Sequence, residues 1–275
     1  MNLIHGGDWA GFYDEYGREP LDFSANVSPL GLPEGVKRAA ISALEQAERY
    51  PDPLCRSLRR KLSVLHAVPE DNILCGSGAA DLIFRLALSL HPQKALVTAP
   101  TFAEYEQSLK AVDCEVEHFM LKAEKGFAIT DELLDYITPK LSMLFLCEPN
   151  NPTGRTTERY LLERVLEKCT ACGTVLVVDE CFNEFLDKPQ EHTLQGELAT
   201  HKNLVILKAF TKCYAMAGLR LGYILCGDDT LTQRLREAGQ PWAVSNIAQA
   251  AGEAALLETQ YIESEPALPK GVHSL

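Results

Sequence analysis

The sequence predicts an α/β fold built on one mostly parallel sheet of seven strands, with helices on both of its faces. Seven short apolar runs alternate with longer segments of helical period, as buried parallel strands and their crossover helices do. The chain has 275 residues, of which 46% are hydrophobic, so it has enough apolar side chains for one large core. The predicted strands span residues 72–75, 95–98, 115–120, 142–147, 174–178, 204–207 and 221–226.

Segments of helical period fill most gaps between these strands. The first seventy residues hold two of the predicted helices and no strand, and a Tyr-Pro-Asp-Pro breaker at residues 50–53 separates the two. The chain before this breaker is expected to form an N-terminal helical arm. The predicted helices span residues 35–48, 54–66, 79–90, 103–112, 131–136, 157–171 and, with a break near 240–242, 231–258.

Composition excludes several classes of protein. Asp and Glu number 38 against 26 Lys and Arg, and the net charge of -12 argues against binding to nucleic acid. The longest apolar runs are far shorter than the about 20 residues of a membrane span, and the first residues lack a secretory signal, so we expect a cytoplasmic protein. Most of the nine cysteines stand beside apolar segments, which predicts reduced, buried thiols. The single Cys-x-x-Cys pair, Cys169 and Cys172, is expected to be structural, and no metal site is predicted.

Two loops that directly follow predicted strands have the composition of ligand-binding turns. Residues 76–81 (Gly-Ser-Gly-Ala-Ala-Asp) open a helix, where small residues let backbone N–H groups approach a phosphate. Residues 148–154 (Glu-Pro-Asn-Asn-Pro-Thr-Gly) stand at the carboxyl end of another strand, where α/β sheets place ligands. Each loop alone is equally compatible with an ordinary tight turn.

Three charged residues also stand near strand ends. Asp179 ends the run Val-Val-Asp, and its carboxylate either caps a helix or holds a ring nitrogen protonated. Lys212, within Phe-Thr-Lys, is either a surface lysine or an amine made nucleophilic by desolvation. Arg220, within Gly-Leu-Arg-Leu-Gly, is either a surface ion-pair partner or a phosphate ligand.

Taken in this order, the motifs resemble the fold-type-I enzymes that use pyridoxal 5′-phosphate (PLP), the class I and II aminotransferases. The resemblance covers nearly the whole chain, from His5 to about Glu258. It is closest to the branch that contains the threonine-phosphate decarboxylases and the histidinol-phosphate aminotransferases. It implies a PLP-transferase large domain and a homodimer.

The resemblance also assigns roles to individual residues. Lys212 would bond covalently to PLP, and Asp179 would pair with the pyridinium nitrogen. Tyr50 would reach the cofactor phosphate of the partner subunit. The other implied cofactor contacts are Gly78, Ala79, Ala80, Thr211 and Arg220 at the phosphate, Asn151 at the ring hydroxyl, and Phe102 stacked on the ring.

Two further segments favour the decarboxylases over the aminotransferases. His5, Gly6 and Asn26 match positions that contact the substrate in that family, with Asn151 beside them. Phe182 stands where the aminotransferases usually have a tyrosine. The implied reaction is decarboxylation of O-phospho-L-threonine, through an external aldimine and a quinonoid, to aminopropanol phosphate, a cobalamin precursor. The alternatives are an aminotransferase acting on histidinol phosphate or a similar amine, and a PLP-binding remnant with impaired catalysis.

The sequence departs from the family pattern at two places. Ala209 replaces a common serine, and Lys208 beside it either replaces the lost phosphate contact or faces the solvent. Relatives also continue into a C-terminal small domain that grips the substrate, so we expect a truncated small domain here. The resulting division is an N-terminal arm and the start of the small domain (1–50), a PLP-binding large domain (51–245), and the start of an incomplete small domain (246–275).

Overall fold

The structure, a computed structural model, describes residues 6–264. All seven predicted strands are present, and their bounds agree with the prediction to within two residues. The strands are β1 (Ile73–Gly76), β2 (Lys94–Ala99), β3 (Glu115–Met120), β4 (Met143–Cys147), β5 (Val175–Asp179), β6 (Leu204–Ala209) and β7 (Gly222–Cys226). They form one sheet in the order β1-β7-β6-β5-β4-β2-β3.

The sheet is mostly parallel, as predicted. Strand β7 is antiparallel to both of its neighbours, β1 and β6, and every other pairing is parallel. Strands β1 and β6 therefore run in the same direction as the rest of the sheet. This arrangement places the carboxyl ends of six strands at one edge, which is the edge that carries ligands in open α/β sheets.

Helices cover both faces of the sheet. They are α1 (Trp9–Tyr16), α2 (Glu34–Ala43), α3 (Arg56–His66), α4 (Gly78–Leu90), α5 (Ala103–Lys110), α6 (Leu133–Tyr136), α7 (Arg159–Cys172), α8 (Phe210–Cys213), α9 (Asp229–Glu237), α10 (Asn246–Ala255) and α11 (Thr259–Ser264). On one face, α3, α7 and α10 pack their apolar side chains against the sheet, and on the other face α4, α5 and α9 do so. The predicted two-sided core is confirmed.

Helix α1 was not predicted. Its eight residues include no buried side chain, so the apolar period that marks a packed helix is missing. The sequence signals for this helix are the capping residues at its two ends. The Asp8 carboxylate caps the helix by accepting from the Gly11 amide at 3.0 Å, and Gly17 ends it with a left-handed φ of 66°.

The proposed division into arm, large domain and small domain stays a prediction. Helix α2 of the first segment packs directly against α10 of the third. The Asn246 side chain also donates to the Gln46 carbonyl at 2.8 Å. The two ends of the described chain therefore form one layer beside the sheet.

The cysteines behave as predicted. All nine carry free thiols, and eight of them are buried. Burial raises the pKa of Cys169 to about 12, so this thiol stays protonated and packs as a core residue, as expected for a structural Cys-x-x-Cys pair. Within residues 6–264, no group of three or more potential ligand side chains is arranged to hold a metal ion. No helix of that range combines the length and apolar character needed to cross a membrane.

Candidate active site

The predicted site residues gather at the carboxyl edge of the sheet. Asp179 is the last residue of β5, and Lys212 lies in α8, directly after β6. Helix α4 opens just after β1, and Asn151 follows β4. Because these strands are parallel, residues far apart in the sequence reach one place. Their individual roles remain predictions, but the structure brings them to the same edge.

Asp179 is a buried carboxylate with both oxygens hydrogen bonded. Its side chain is held at the strand end with only 4% of the residue exposed. The Tyr105 hydroxyl donates to Oδ2 at 2.7 Å, and the Cys181 amide donates to Oδ1 at 3.0 Å. A carboxylate with two fixed donors has a defined orientation. It is therefore suited to receive a proton-bearing ring nitrogen from the open side of the edge.

Lys212 is partly buried and lies over an aromatic ring. Its Nζ is 5.6 Å from the centroid of Phe182. Burial lowers the pKa of Lys212, and the nearby Arg220 charge lowers it further, against opposing effects, each smaller than that of burial, of Cys181, Asp179 and Glu104. Among the described residues Lys212 forms no ion pair. A larger share of its amine is consequently neutral, and hence nucleophilic, than for a lysine in water.

The first turn of α4 and Arg220 form a cup at the same edge. Gly78 has a φ of +81°, and a Cβ added there would lie 2.7 Å from Arg220 Nη2. A Cβ on Gly222 would lie 2.8 Å from the Ala79 amide nitrogen. Small residues therefore keep a guanidinium and free helical N–H groups close together. This combination binds a phosphate dianion well. Thr211, another predicted phosphate contact, is buried beside Lys212 in α8.

The loops that carry Phe102 and Asn151 are tied together by Asn150. Its Nδ2 donates to the Pro100 carbonyl at 3.1 Å and to Thr153 at 2.9 Å, while its Oδ1 accepts from Thr101 at 2.9 Å. Asn150 is 5% exposed, so these bonds are shielded from water. Sequence analysis did not single out Asn150, although it stands beside Asn151 in the same motif.

The N-terminal arm crosses the backbone of Lys212. The Ser28 amide donates to the Lys212 carbonyl at 3.0 Å, which places Asn26 near the site. Gly6 packs on Ser24, where an added Cβ would lie only 2.3 Å from the serine Cβ. His5, predicted to contact substrate, lies outside the described residues. The substrate roles of Gly6 and Asn26 stay predictions.

Tyr50 lies on the surface. It is 80% exposed, and its ring contacts that of Trp242 with centroids 4.6 Å apart and planes tilted by 31°. An exposed aromatic pair of this kind is typical of a surface that meets another protein. The role of Tyr50 at the cofactor of a partner subunit stays a prediction.

The expectation that Lys208 replaces a phosphate contact is wrong. Its Nζ lies 2.8 Å from Glu184 and 3.2 Å from Glu180, and the residue is 6% exposed. Side chains alternate along a strand, so Lys208 points to the same face as Ile206. That face packs against α3, α7 and α10, whereas the cup at α4 belongs to the opposite face.

Comparison with known proteins settles the family. The family described as "Aminotransferase class I and II" matches residues 18–272. The chain belongs to this family. The resemblance in the motifs and the fold-type-I architecture are thereby confirmed.

Three proteins illustrate the similarity. Over 264 residues the chain is 40% identical to the threonine-phosphate decarboxylase of Salmonella typhimurium, covering 95% of this chain and 72% of that one. Its fold matches the crystal structure of the histidinol-phosphate aminotransferase from Clostridium acetobutylicum with a TM-score of 0.80 and 26% identity, covering 88% and 71% of the two chains. It matches the L-threonine-O-3-phosphate decarboxylase from Porphyromonas gingivalis with a TM-score of 0.75 and 26% identity, covering 90% and 71%. The shared fold does not separate the two activities.

Proposed function

We propose that this protein binds PLP and decarboxylates O-phospho-L-threonine to aminopropanol phosphate. The observation that carries the cofactor assignment is the meeting, at one sheet edge, of a desolvated lysine, an oriented carboxylate and a cationic cup. The substrate assignment is supported by the 40% identity to the Salmonella typhimurium decarboxylase. The arm that crosses Lys212, with Gly6 and Asn26, supports it further.

The residues present fit PLP as a ligand. Gly78, Ala79 and Ala80 offer amides, and Arg220 and Thr211 offer donors, to its phosphate. Asp179 offers a carboxylate to its ring nitrogen, and Lys212 offers an amine to its aldehyde. When bound, PLP supplies an acceptor for the electron pair released at the substrate Cα.

The residues of the chain then determine the outcome. Asp179 keeps a proton at the ring nitrogen by accepting a charge-assisted hydrogen bond. Lys212 would hold the cofactor through its Nζ and, once the substrate amine has taken its place, would carry a proton on that atom. After carbon dioxide has left Cα, Lys212 Nζ would return the proton to Cα. Phe182, beneath Nζ, offers no hydroxyl to compete for that proton.

Transamination of histidinol phosphate or a similar amine is the second candidate. The fold matches the Clostridium acetobutylicum aminotransferase with a TM-score of 0.80, and the same groups surround the cofactor position. The two reactions differ in which Cα bond is broken, and that choice depends on how the substrate is held. In transamination, Lys212 Nζ takes the proton from Cα instead of returning one.

The test is spectroscopic and chemical. Purified protein is mixed with PLP, and its visible spectrum is recorded while O-phospho-L-threonine or histidinol phosphate is added. We expect a band of lysine-bound PLP, a change of that band with O-phospho-L-threonine, and stoichiometric release of carbon dioxide. The Lys212→Ala variant should lack the band, whereas Lys202→Ala, a change at an exposed lysine, should keep it.

Each other result has a definite meaning. Formation of the pyridoxamine form with histidinol phosphate would establish the aminotransferase instead. A cofactor band that responds to neither compound would leave a PLP-binding protein without turnover. A folded protein with no band would contradict the cofactor assignment.

We also propose that the protein works as a homodimer in the cytoplasm. The exposed Tyr50–Trp242 pair supports a contact between subunits. Light scattering gives the mass in solution. In a dimer, Tyr50→Phe should weaken PLP binding because the hydroxyl serves the partner's site, and mixing it with Lys212→Ala subunits should restore one normal site per mixed dimer.

A further inference from the structure

Tyr105 is placed behind the predicted cofactor groups and contacts two of them. Its hydroxyl donates to Asp179 Oδ2 at 2.7 Å. Its ring meets the ring of Phe102 edge to face, with centroids 5.6 Å apart and planes at 75°. Its other side stacks on Phe145 at 4.9 Å and 11°. One buried side chain thus connects the carboxylate predicted to hold the ring nitrogen with the aromatic ring predicted to stack on the cofactor.

The phenol of Tyr105 is a permanent donor. The residue is fully buried, and burial together with the Asp179 charge raises its pKa well above the ordinary value of 10. The hydroxyl therefore keeps its proton across the pH range of the protein. The stacked ring on one side and the edge contact on the other restrict the rotation of Tyr105. Its hydrogen bond consequently has a fixed direction.

Asp179 has two anchors of different kinds. The Cys181 amide is part of the backbone and is set by the chain fold. The Tyr105 hydroxyl comes from helix α5, 74 positions away in the sequence, and belongs to a side chain that can be changed without altering the backbone. Removing the hydroxyl leaves the carboxylate with the amide and the weakly donating thiol of Cys181 only, so that Oδ2 loses its strong donor.

We propose that Tyr105 is a positioning residue for PLP, which holds the Asp179 carboxylate in the orientation that binds the protonated ring nitrogen. This inference rests on the PLP assignment in the proposed function. Tyr105 does not touch the cofactor and acts through Asp179, with a second contact to Phe102. A tyrosine that merely filled the core would contribute its ring, and its hydroxyl would have no effect on recognition of the nitrogen.

The experiment compares two cofactors in the full chain. Apoprotein is titrated with PLP and with 1-deazapyridoxal 5′-phosphate, in which a C–H group replaces the ring nitrogen. Tyr105→Phe keeps the stacked ring and removes only the hydroxyl. We expect PLP binding to weaken about 10-fold, as for loss of a buried hydrogen bond to a charged group, and binding of the deaza analogue to change by less than about 2-fold.

Two further variants give the matched comparison. Tyr160→Phe makes the same chemical change at a tyrosine that is 69% exposed, and should leave both affinities unchanged. In Asp179→Asn, the preference for PLP over the deaza analogue should be lost. Adding Tyr105→Phe to Asp179→Asn should then cause no further loss, because residues that act through one group are not additive.

The outcomes separate this inference from the proposed function. If the unmodified protein binds no PLP, both are overturned. If it binds PLP, and Tyr105→Phe binds both cofactors as tightly as before, only the role of Tyr105 is overturned. An equal loss for both cofactors would also overturn it, since packing alone would explain the result. Should Tyr105→Phe fail to fold, Tyr105→Met, which also removes the hydroxyl, takes its place: a loss confined to PLP supports the inference, and an equal loss for both cofactors overturns it.

Discussion

Lys208 and Lys212 flank the end of strand β6, and their surroundings differ in almost every respect. Lys208 lies within the strand, buried between Glu180 and Glu184. Burial lowers its pKa, but the charges of Glu184 and Glu180 outweigh burial and raise that pKa well above the ordinary value. Lys212 lies in α8 with no such pair among the described residues, and burial lowers its pKa. Lys208 is therefore held in its charged form, whereas the amine of Lys212 stays available for reaction.

The two neighbouring carboxylates follow the same division. Glu180 is fully buried and is bound by Lys208 and by the Thr193 hydroxyl. Asp179, one position earlier, faces the other side of the sheet and is oriented by neutral donors. Successive residues of an extended chain point to opposite faces. Of these two adjacent acids, Glu180 therefore serves the ion pair on one face, and Asp179 serves the candidate site on the other. The pairing of Glu180 with Lys208 stabilises the loop after β5, while the carboxylate of Asp179 remains for chemistry.

The largest expected effect is the loss of the paired lysine. Lys208→Met leaves two glutamates in a buried site without their cation, which we expect to lower the free energy of unfolding by about 3–5 kcal/mol. Urea denaturation measures this. Lys202→Met, at an exposed lysine, should change the unfolding free energy by less than about 0.5 kcal/mol. A loss below about 1 kcal/mol for Lys208→Met would show that the buried pair is not what holds this layer together.

The next effect concerns Glu148, a buried acid that forms no ion pair with any residue in the described range 6–264. Glu148 is 1% exposed and bonded to Thr157, and burial raises its pKa to about 7. The unfolded chain has the ordinary value of 4.5, so the folded state binds the extra proton between these two values. Stability that Glu148 contributes below pH 4.5 is therefore lost as the pH rises through 7.

Glu148→Gln removes that titration and keeps a side chain able to bond to Thr157. Relative to the unmodified protein, the variant should gain about 3 kcal/mol in unfolding free energy between pH 4.5 and pH 8. Urea denaturation at a series of pH values measures the difference. Glu167→Gln, at an exposed position, should show a flat difference. A flat difference for Glu148→Gln would mean that water reaches this carboxylate.

The smallest expected effect tests how the Arg220 charge acts on the pKa of Lys212. The Arg220 charge helps lower the pKa of Lys212, so Arg220→Gln should raise that pKa. The measurement is the pH dependence of the rate at which apoprotein reacts with pyridoxal. Pyridoxal carries no phosphate, so the substitution of Arg220 does not also remove a phosphate contact. The midpoint should move to higher pH, whereas Arg164→Gln on α7 should not move it. A midpoint that moves to lower pH would contradict the electrostatic explanation.

Much of the architecture was predictable because it depends on local patterns. Buried parallel strands are continuous apolar runs, and the residue that follows each parallel strand lies at the carboxyl edge, which holds for every strand except the antiparallel β7. Asp179 and Lys212 were therefore placed correctly before any contact was known. Helix α1 escaped because none of its residues is buried, leaving no period to detect.

Contacts between distant segments were not predictable in the same way. Tyr105 stands in a helical segment where an aromatic residue is normally part of the core, and nothing in the sequence directs its hydroxyl to Asp179. Asn150 was overlooked beside Asn151 because a turn needs only one such residue. The error about Lys208 has the same origin, because the predicted strand ended at residue 207 and only the longer β6 of the structure assigns Lys208 to the face away from the cup.

The bond from the Ser28 amide to the Lys212 carbonyl has a consequence for the order of synthesis. The turn at Ser28 is held from its other side by the Tyr261 hydroxyl, which lies 2.8 Å from Ser28 Oγ and 2.8 Å from the Gly31 carbonyl. Ser28 and Tyr261 are 233 positions apart. As the chain leaves the ribosome, Ser28 emerges before Lys212 and Tyr261, so it has no place to dock until both have followed. This turn is thus made before the two segments that fasten it.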